Sequence, residues 1–273
     1  MFKRIVIIAL CLFVLAGIAY GVNSLQSKQG NSSKPLELTQ LQIKEVHNAI
    51  NEVRNQLSPD EAAFIYLAEL DKIKLKGMDQ GLGLARVNAP KPYTDLKMWK
   101  ELTKENFVEF KTPTRLPNGY TFKSGALEYS MGNINPANSN KYYTMLKNKA
   151  VAAKSNMAWQ KAESEDNDKN ITNMDMPSLT YSNSNQDQID IMYLILPLSV
   201  KVERKLNSAD KVQVADIEGY YFVNKHNYLS ETGTTQDIQW TEQQHGTTIQ
   251  ITVSSPSLNV TKEDLLLVAN NLK

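Results

Sequence analysis

The chain has 273 residues, 41% of them hydrophobic and 22% charged, with 30 basic against 29 acidic side chains. That is enough apolar material for one or two packed domains, which excludes wholesale disorder, and a net charge of +1 argues against a protein built to grip a nucleic-acid backbone. The one cysteine, Cys11, lies in the N-terminal apolar run, so the rest of the chain has no thiol for a disulfide or a metal site.

Lys3 and Arg4 precede an uncharged run from Ile5 to Val22, which as a helix would extend about 27 Å, long enough to cross a bilayer. The run reads as a single-pass membrane anchor over residues 5–22, with the basic pair in the cytoplasm and the C-terminal part outside it. The rival reading is a cleaved signal peptide ending near Ala19-Tyr20-Gly21, followed by secretion. A lipoprotein reading of Cys11 lacks the small residue that should precede it, because Leu10 stands there. Residues 23–35 turn to Gln, Ser, Asn, Lys and Gly, the composition of a flexible linker.

Ile43, Val46, Ile50, Val53 and Leu57 recur at spacings of three and four, which predicts a helix over about 36–57. Ser58-Pro59-Asp60-Glu61 has the form of a helix start, and Ala63, Phe64, Leu67 and Leu70 then give a second helix to about Lys74. Together they predict an antiparallel helical hairpin. Gly77, Gly81, Gly83, Pro90 and Pro92 break the pattern, and Thr94-Asp95 can cap a short helix through Trp99 and Leu102. Strand texture follows over 119–130, 189–196 and 211–223, with 142–162 expected to be helical over at least its first half and a polar loop over 163–170. Residues 237–242 and 247–254 read as a hairpin turned at Gln243-Gln244-His245-Gly246, and Thr261-Lys262-Glu263-Asp264 caps a last helix carrying Leu265, Leu266, Val268, Ala269 and Leu272.

The predicted fold class is α+β: an N-terminal transmembrane helix, a helical hairpin, then a curved antiparallel sheet packed with helices. The expected divisions are 1–22 as anchor or uncleaved signal, 23–35 as linker, 36–92 as hairpin and connection, and 93–273 as the extracytoplasmic domain.

Thr114-Arg115-Leu116-Pro117-Asn118-Gly119-Tyr120, Gly219-Tyr220-Tyr221, Ile238-Gln239-Trp240-Thr241-Glu242, Thr248-Ile249-Gln250-Ile251 and Val260-Thr261-Lys262-Glu263-Asp264-Leu265 give a family resemblance. Over about 113–273 the chain resembles the DUF4367 domain, an extracytoplasmic module found behind the transmembrane helix of anti-sigma factors in Gram-positive bacteria. The resemblance implies a sensory or binding module at the cell surface, with a curved sheet distantly similar to periplasmic lipoprotein-carrier folds. Two features depart from the family. Met1 to Arg4 is too short to hold a sigma factor, and the 36–74 hairpin is not part of the pattern.

Catalytic constellations are missing from the sequence. There is no G-x-S-x-G, no paired histidine spacing for zinc among His47, His226 and His245, and no phosphate loop at Gly77, Gly81 and Gly83. Asp166-Asn167-Asp168-Lys169-Asn170 opens like a calcium loop but continues with Ile171 and Pro177 where Gly and Glu are needed. The expectation is a binding or sensory module without catalytic activity, cofactor or nucleic-acid partner. Its partner would be an unknown protein or an apolar ligand outside the cytoplasm. Ile191 to Leu196 is apolar on both strand faces, which admits a lipid or other apolar ligand in the sheet's concavity, as well as plain core. Tyr193, Ile195, Tyr220, Phe222 and Trp240 form the candidate binding face. A hydrolase without a familiar motif is the third reading.

Overall fold

The structure is a computed structural model that describes residues 38–73, 81–106, 110–129, 136–163, 175–196, 209–225, 227, 230–244 and 246–273. In chain order the elements are helix α1 (Gln40–Arg54), strand β1 (Ala62–Leu67), the single-turn helix α2 (Ala68–Asp71), β2 (Leu84–Asn88), α3 (Leu96–Asn106), β3 (Thr121–Tyr129), α4 (Pro136–Ala152) and β4 (Met157–Lys161). There follow β5 (Asp175–Ser182), β6 (Gln188–Leu196), β7 (Asp210–Val214), β8 (Ile217–Asn224), β9 (Thr235–Gln244), β10 (Thr247–Ser255) and α5 (Lys262–Asn270). These elements fall into two units, each discontinuous in sequence. One takes its described residues from the spans Met1–Pro90, Tyr129–Asn173 and His226–Gly233, the other from Lys91–Glu128, Met174–Lys225 and Thr234–Lys273.

The first unit is a three-stranded antiparallel sheet in the order β2-β1-β4, with a helix on each face. Strand alternation sends Ala63, Ile65 and Leu67 of β1 to one side, where they join Ile43, Val46, Ile50 and Val53 of α1 in a buried cluster. Phe64 and Tyr66 go to the other side and meet Tyr142, Tyr143 and Leu146 of α4. Phe64 stacks on Tyr142 with ring centroids 4.1 Å apart. Thr39 caps α1 in a reciprocal box with Gln42.

At one end of this sheet Asp71 ties strand to helix. Its carboxylate accepts hydrogen bonds from the hydroxyls of Tyr66 at 2.8 Å and Tyr143 at 2.6 Å, and from Lys147 Nζ at 2.8 Å. Burial pushes the Asp71 carboxyl upward, but the bonds from Lys147, Tyr143 and Tyr66 outweigh it and hold the group below the usual carboxylate range. Burial, reinforced by the bond to Asp71, pushes the Tyr66 phenol up to about 12. The chain returns past this point so closely that a Cβ at Gly81 would stand 1.9 Å from the Asp71 carbonyl oxygen.

The second unit is a seven-stranded sheet in the order β3-β5-β6-β10-β9-β8-β7. In the register of its centre, Tyr193 lies opposite Ile251 and Ile251 opposite Trp240, while Ile191, Val253 and Ile238 form the next row on the same face. These residues make one core with Trp99 from α3, Phe110, and Leu265, Val268, Ala269 and Leu272 from α5 and its C-terminal extension. The Trp99 ring lies flat against β3, where a Cβ at Gly125 would fall 2.3 Å from its Cδ1, so only glycine fits. Thr261 and Asp264 form the expected capping box of α5.

The structure corrects the predicted fold class. Its described residues are mostly β, two sheets with five short helices, and the helical hairpin gives way because residues 62–67 form a strand. Ala62 to Leu67 is a short, unbroken apolar run, and periodicity alone does not separate a fully covered strand from a helix in such a run. The Ser58 to Glu61 segment does make half of the expected cap, Glu61 accepting from the Ser58 amide at 2.8 Å. Asp60, however, adopts φ +68°, which no helix accommodates, and its amide donates to Ala89 O at 2.7 Å beside β2.

The expected transmembrane helix and single-pass extracytoplasmic localisation are corrected as well. Among the described residues no helix is long and apolar enough to cross a membrane, and the 5–22 run lies outside them. The helix expected over at least the first half of 142–162 is present as α4, which begins earlier, at Pro136, and ends at Ala152 before β4.

Replacing Asp71 with Ala leaves two buried phenols and an ammonium without their shared acceptor. It should destabilise the first unit by about 2–4 kcal/mol in urea unfolding at neutral pH. Because the Asp71 carboxyl is held below its ordinary range, its contribution is present above that range and lost as pH falls through the depressed value. The gap between wild type and Asp71→Ala should therefore narrow in acid, and a gap that is small or independent of pH contradicts the assignment.

Candidate functional site

The five residues of the expected binding face do not share a face. Tyr193, Ile195 and Trp240 belong to the helix-covered side of the large sheet, where Tyr193 and Trp240 are fully buried and Ile195 packs against the same core. Tyr220 and Phe222 point the other way, since Tyr220 pairs with Gln239 and Phe222 with Asp237. The structure thus brings Tyr193 and Trp240 together as core and separates them from Tyr220 and Phe222.

The second face of the sheet is largely polar. One cross-strand row runs Thr180, Asp190, Ser254, Asp237, Phe222, and the next runs Ser178, Met192, Thr252, Gln239, Tyr220. Asp237 accepts from Ser254 Oγ at 2.5 Å and Thr235 Oγ1 at 2.9 Å. Asp190 accepts from Thr180 Oγ1 at 2.8 Å and from Gln188 Nε2. Burial raises both carboxyls: Asp237 to about 6, with a further push from the Asp190 charge and against the Ser254 and Thr235 hydroxyl bonds, and Asp190 against the bonds from Gln188 and Thr180. The only apolar members of these rows besides the Phe222 and Tyr220 rings are Met192 and, in the adjoining row, Leu194.

A cleft of about 770 Å³ opens in the second unit, lined by Lys100, Glu101, Thr103, Lys104, Phe110, Lys111, Gln243, Gln244 and Lys273. Three parts of the chain converge there. Lys100 and Lys104 stand one turn apart on α3, Phe110 and Lys111 follow that helix, and the β9 end and Lys273 close the other side. Lys273 is placed by backbone pairing with Thr112 at 2.8 and 3.1 Å. Lys100, Lys104 and Lys273 form no ion pair among the described residues, and Glu101 has Lys97 as its countercharge at 3.9 Å. Lys104 suits the negative end of its own helix, but Lys111 and Lys273 come from other segments, so the helix dipole does not account for the convergence.

Lys111 is the inner cation. Its Nζ lies 2.6 Å from Glu242 Oε2, its carbonyl accepts from the Tyr193 hydroxyl, and Glu242 Oε1 accepts from Trp240 Nε1 at 2.9 Å. Burial pushes the Glu242 carboxyl up, yet the bonds from Lys111 and Trp240 and the Lys111 charge together hold it below the usual range. Phe110 packs on Tyr193 with centroids 4.9 Å apart and forms an apolar floor. Lysine rim, glutamine amides and aromatic floor are the chemistry for holding an oxyanion attached to an apolar body.

Nothing else described assembles a reaction centre. His47 is buried on α1 with its Nε2 2.8 Å from Asn51 Nδ2, and His226, His245 and the calcium-like loop at 166–170 lie outside the described residues. No group of three metal-ligating side chains occurs among the described residues. No family model matches the chain, nor does any curated protein or solved structure, so the resemblance to the DUF4367 domain gains no support from comparison.

Sequence reasoning missed the cleft. The spacing of Lys100 and Lys104 was legible as one face of a helix, but nothing local joins them to Lys111, Gln243 and Lys273.

The buried Asp237 sets a pH dependence of opposite sign to that of Asp71. Its folded value of about 6 stands above that of the unfolded carboxyl, so the folded chain holds the proton longer and stability falls as pH rises from about 4 to 6, then levels. The full excursion is on the order of 3 kcal/mol. Asp237→Asn should remove that slope, so the variant gains on the wild type between pH 4 and 7 in urea midpoints. Parallel pH profiles for the two proteins would show that Asp237 titrates normally.

Proposed function

We propose that this protein is a non-catalytic binding module whose cleft takes a small oxyanion with an apolar or aromatic body. The observation that carries the reading is the convergence of four lysines from three chain segments around the Phe110 floor, with three of them free of ion pairs among the described residues. The cleft's volume lies in the range of small-molecule sites. The phenols of Tyr66 and Tyr143, both raised first by burial, stay protonated near neutrality and offer no nucleophile or base.

An apolar ligand on the second sheet face finds less support, because that face is built of polar rows, Thr180-Asp190-Ser254-Asp237 and Ser178-Thr252-Gln239 among them, with few apolar side chains for a lipid to meet. The sensory role implied by the family resemblance is compatible with a module that reports an anion.

Calorimetric titration of the full chain with phenyl phosphate tests the reading. We expect saturable binding that weakens with added salt and falls about tenfold in the Lys100→Glu, Lys104→Glu double variant, equivalent to about 1.4 kcal/mol, with phenol itself not binding. Absence of binding, or equal binding by the double variant, would sink it.

A further inference from the structure

Lys111 differs from the other cleft lysines in being already neutralised by a carboxylate. Glu242 projects from the core side of β9, in the same row as Ile249 and Ile195, and meets the cleft through Lys111 and the side chain of Gln244. Its two oxygens are divided, Oε2 to Lys111 and Oε1 to the indole of Trp240, which is 2% exposed. The carboxylate therefore stands where a ligand oxyanion would meet Lys111, and its other oxygen grips the centre of the core. Lys111 does not depend on Glu242 for its position. Tyr193 holds its carbonyl and the next residue, Thr112, is paired with Lys273, so the ammonium can change partner while its backbone stays fixed.

We infer that Glu242 is a built-in competitor for Lys111: an incoming oxyanion displaces its carboxylate, and the change is relayed through the shared hydrogen bond to Trp240. Glu242 is thus a specificity-determining and positioning residue. A weak or singly charged ligand that cannot displace it is confined to Lys100, Lys104 and Lys273, whereas a phosphate or similar dianion takes all four. The relay gives the module an internal response to occupancy, because the Trp240 indole sits in the row that joins β9, β10 and β6. Glu242→Gln preserves an acceptor for Trp240 while removing the competing charge.

This inference rests on the anion reading of the cleft, and one set of titrations separates the two. Phenyl phosphate is titrated into wild type, Lys100→Glu/Lys104→Glu and Glu242→Gln as full chains, with affinity read by calorimetry. The Trp240 indole N–H signal is read by NMR and assigned through its contacts in the folded protein. The expected result is a saturating shift of the Trp240 signal in wild type, about fivefold tighter binding by Glu242→Gln, and a much smaller Trp240 shift in that variant. If the lysine variant weakens binding but Glu242→Gln binds no tighter, or the Trp240 signal does not move in wild type, the competitor role is wrong and the anion cleft stands. If wild type binds nothing, or the lysine variant binds as well as wild type, both fall.

Discussion

The register of β6, β10 and β9 is the constraint on which the larger unit rests. It places Ile191, Tyr193 and Ile195, Ile249, Ile251 and Val253, and Ile238, Trp240 and Glu242 on one face, under α3 and α5. A slip of one residue would bring Asp190, Ser254 and Asp237 into that core, at a cost in buried polar groups that no local gain offsets. The same register decides where the Tyr193 hydroxyl and the Glu242 carboxylate leave the core, the first holding the Lys111 carbonyl and the second pairing with its ammonium.

The smaller unit solves a different problem. Its sheet is covered on both faces, so every residue of β1 must find a partner, and alternation divides the strand cleanly between α1 and α4. Apolar contacts of this kind tolerate sliding of a helix along a sheet. The bonds from Tyr66, Tyr143 and Lys147 to a single carboxylate do not, because they fix α4 at one depth and one rotation. Lys147 remains partly solvated, which limits the worth of its ion pair and leaves the two phenols as the larger contribution.

How far the fold was legible in the sequence varies with the kind of signal. Periodic and capped segments read correctly: the Ile43, Val46, Ile50, Val53 stripe is the buried face of α1, Asp95 accepts from the amides of Lys97 and Met98 at the start of α3, and Thr261 with Asp264 starts α5. β9 and β10 pair as the expected hairpin, with the strands continuing to Gln244 opposite Thr247. Residues 62–67 misled because a strand buried on both sides loses the alternation that marks strands, and a capping sequence stood before it. The binding face misled for the opposite reason. Tyr193, Ile195 and Trp240 were gathered by residue type, whereas register separates them from Tyr220 and Phe222. The cleft itself is a product of contacts between distant residues, Lys111 with Glu242 and Thr112 with Lys273, and no window of sequence contains them.

Among the described residues, the second unit brings four lysines together around the Phe110 ring beside the end of β9. On the proposed reading, the field of several ammonium groups attracts an oxyanion, and selectivity comes from the aromatic floor and from the carboxylate paired with Lys111. The most direct test of this account is to follow the lysine side-chain ammonium signals of the full chain by NMR while phenyl phosphate is added. The account predicts that Lys100, Lys104, Lys111 and Lys273 shift together and saturate at one ligand concentration, while Lys161 and Lys211, ion-paired to Glu61 and Glu218, stay where they are. Shifts spread evenly over all the lysines, or concentrated outside these four, would contradict it.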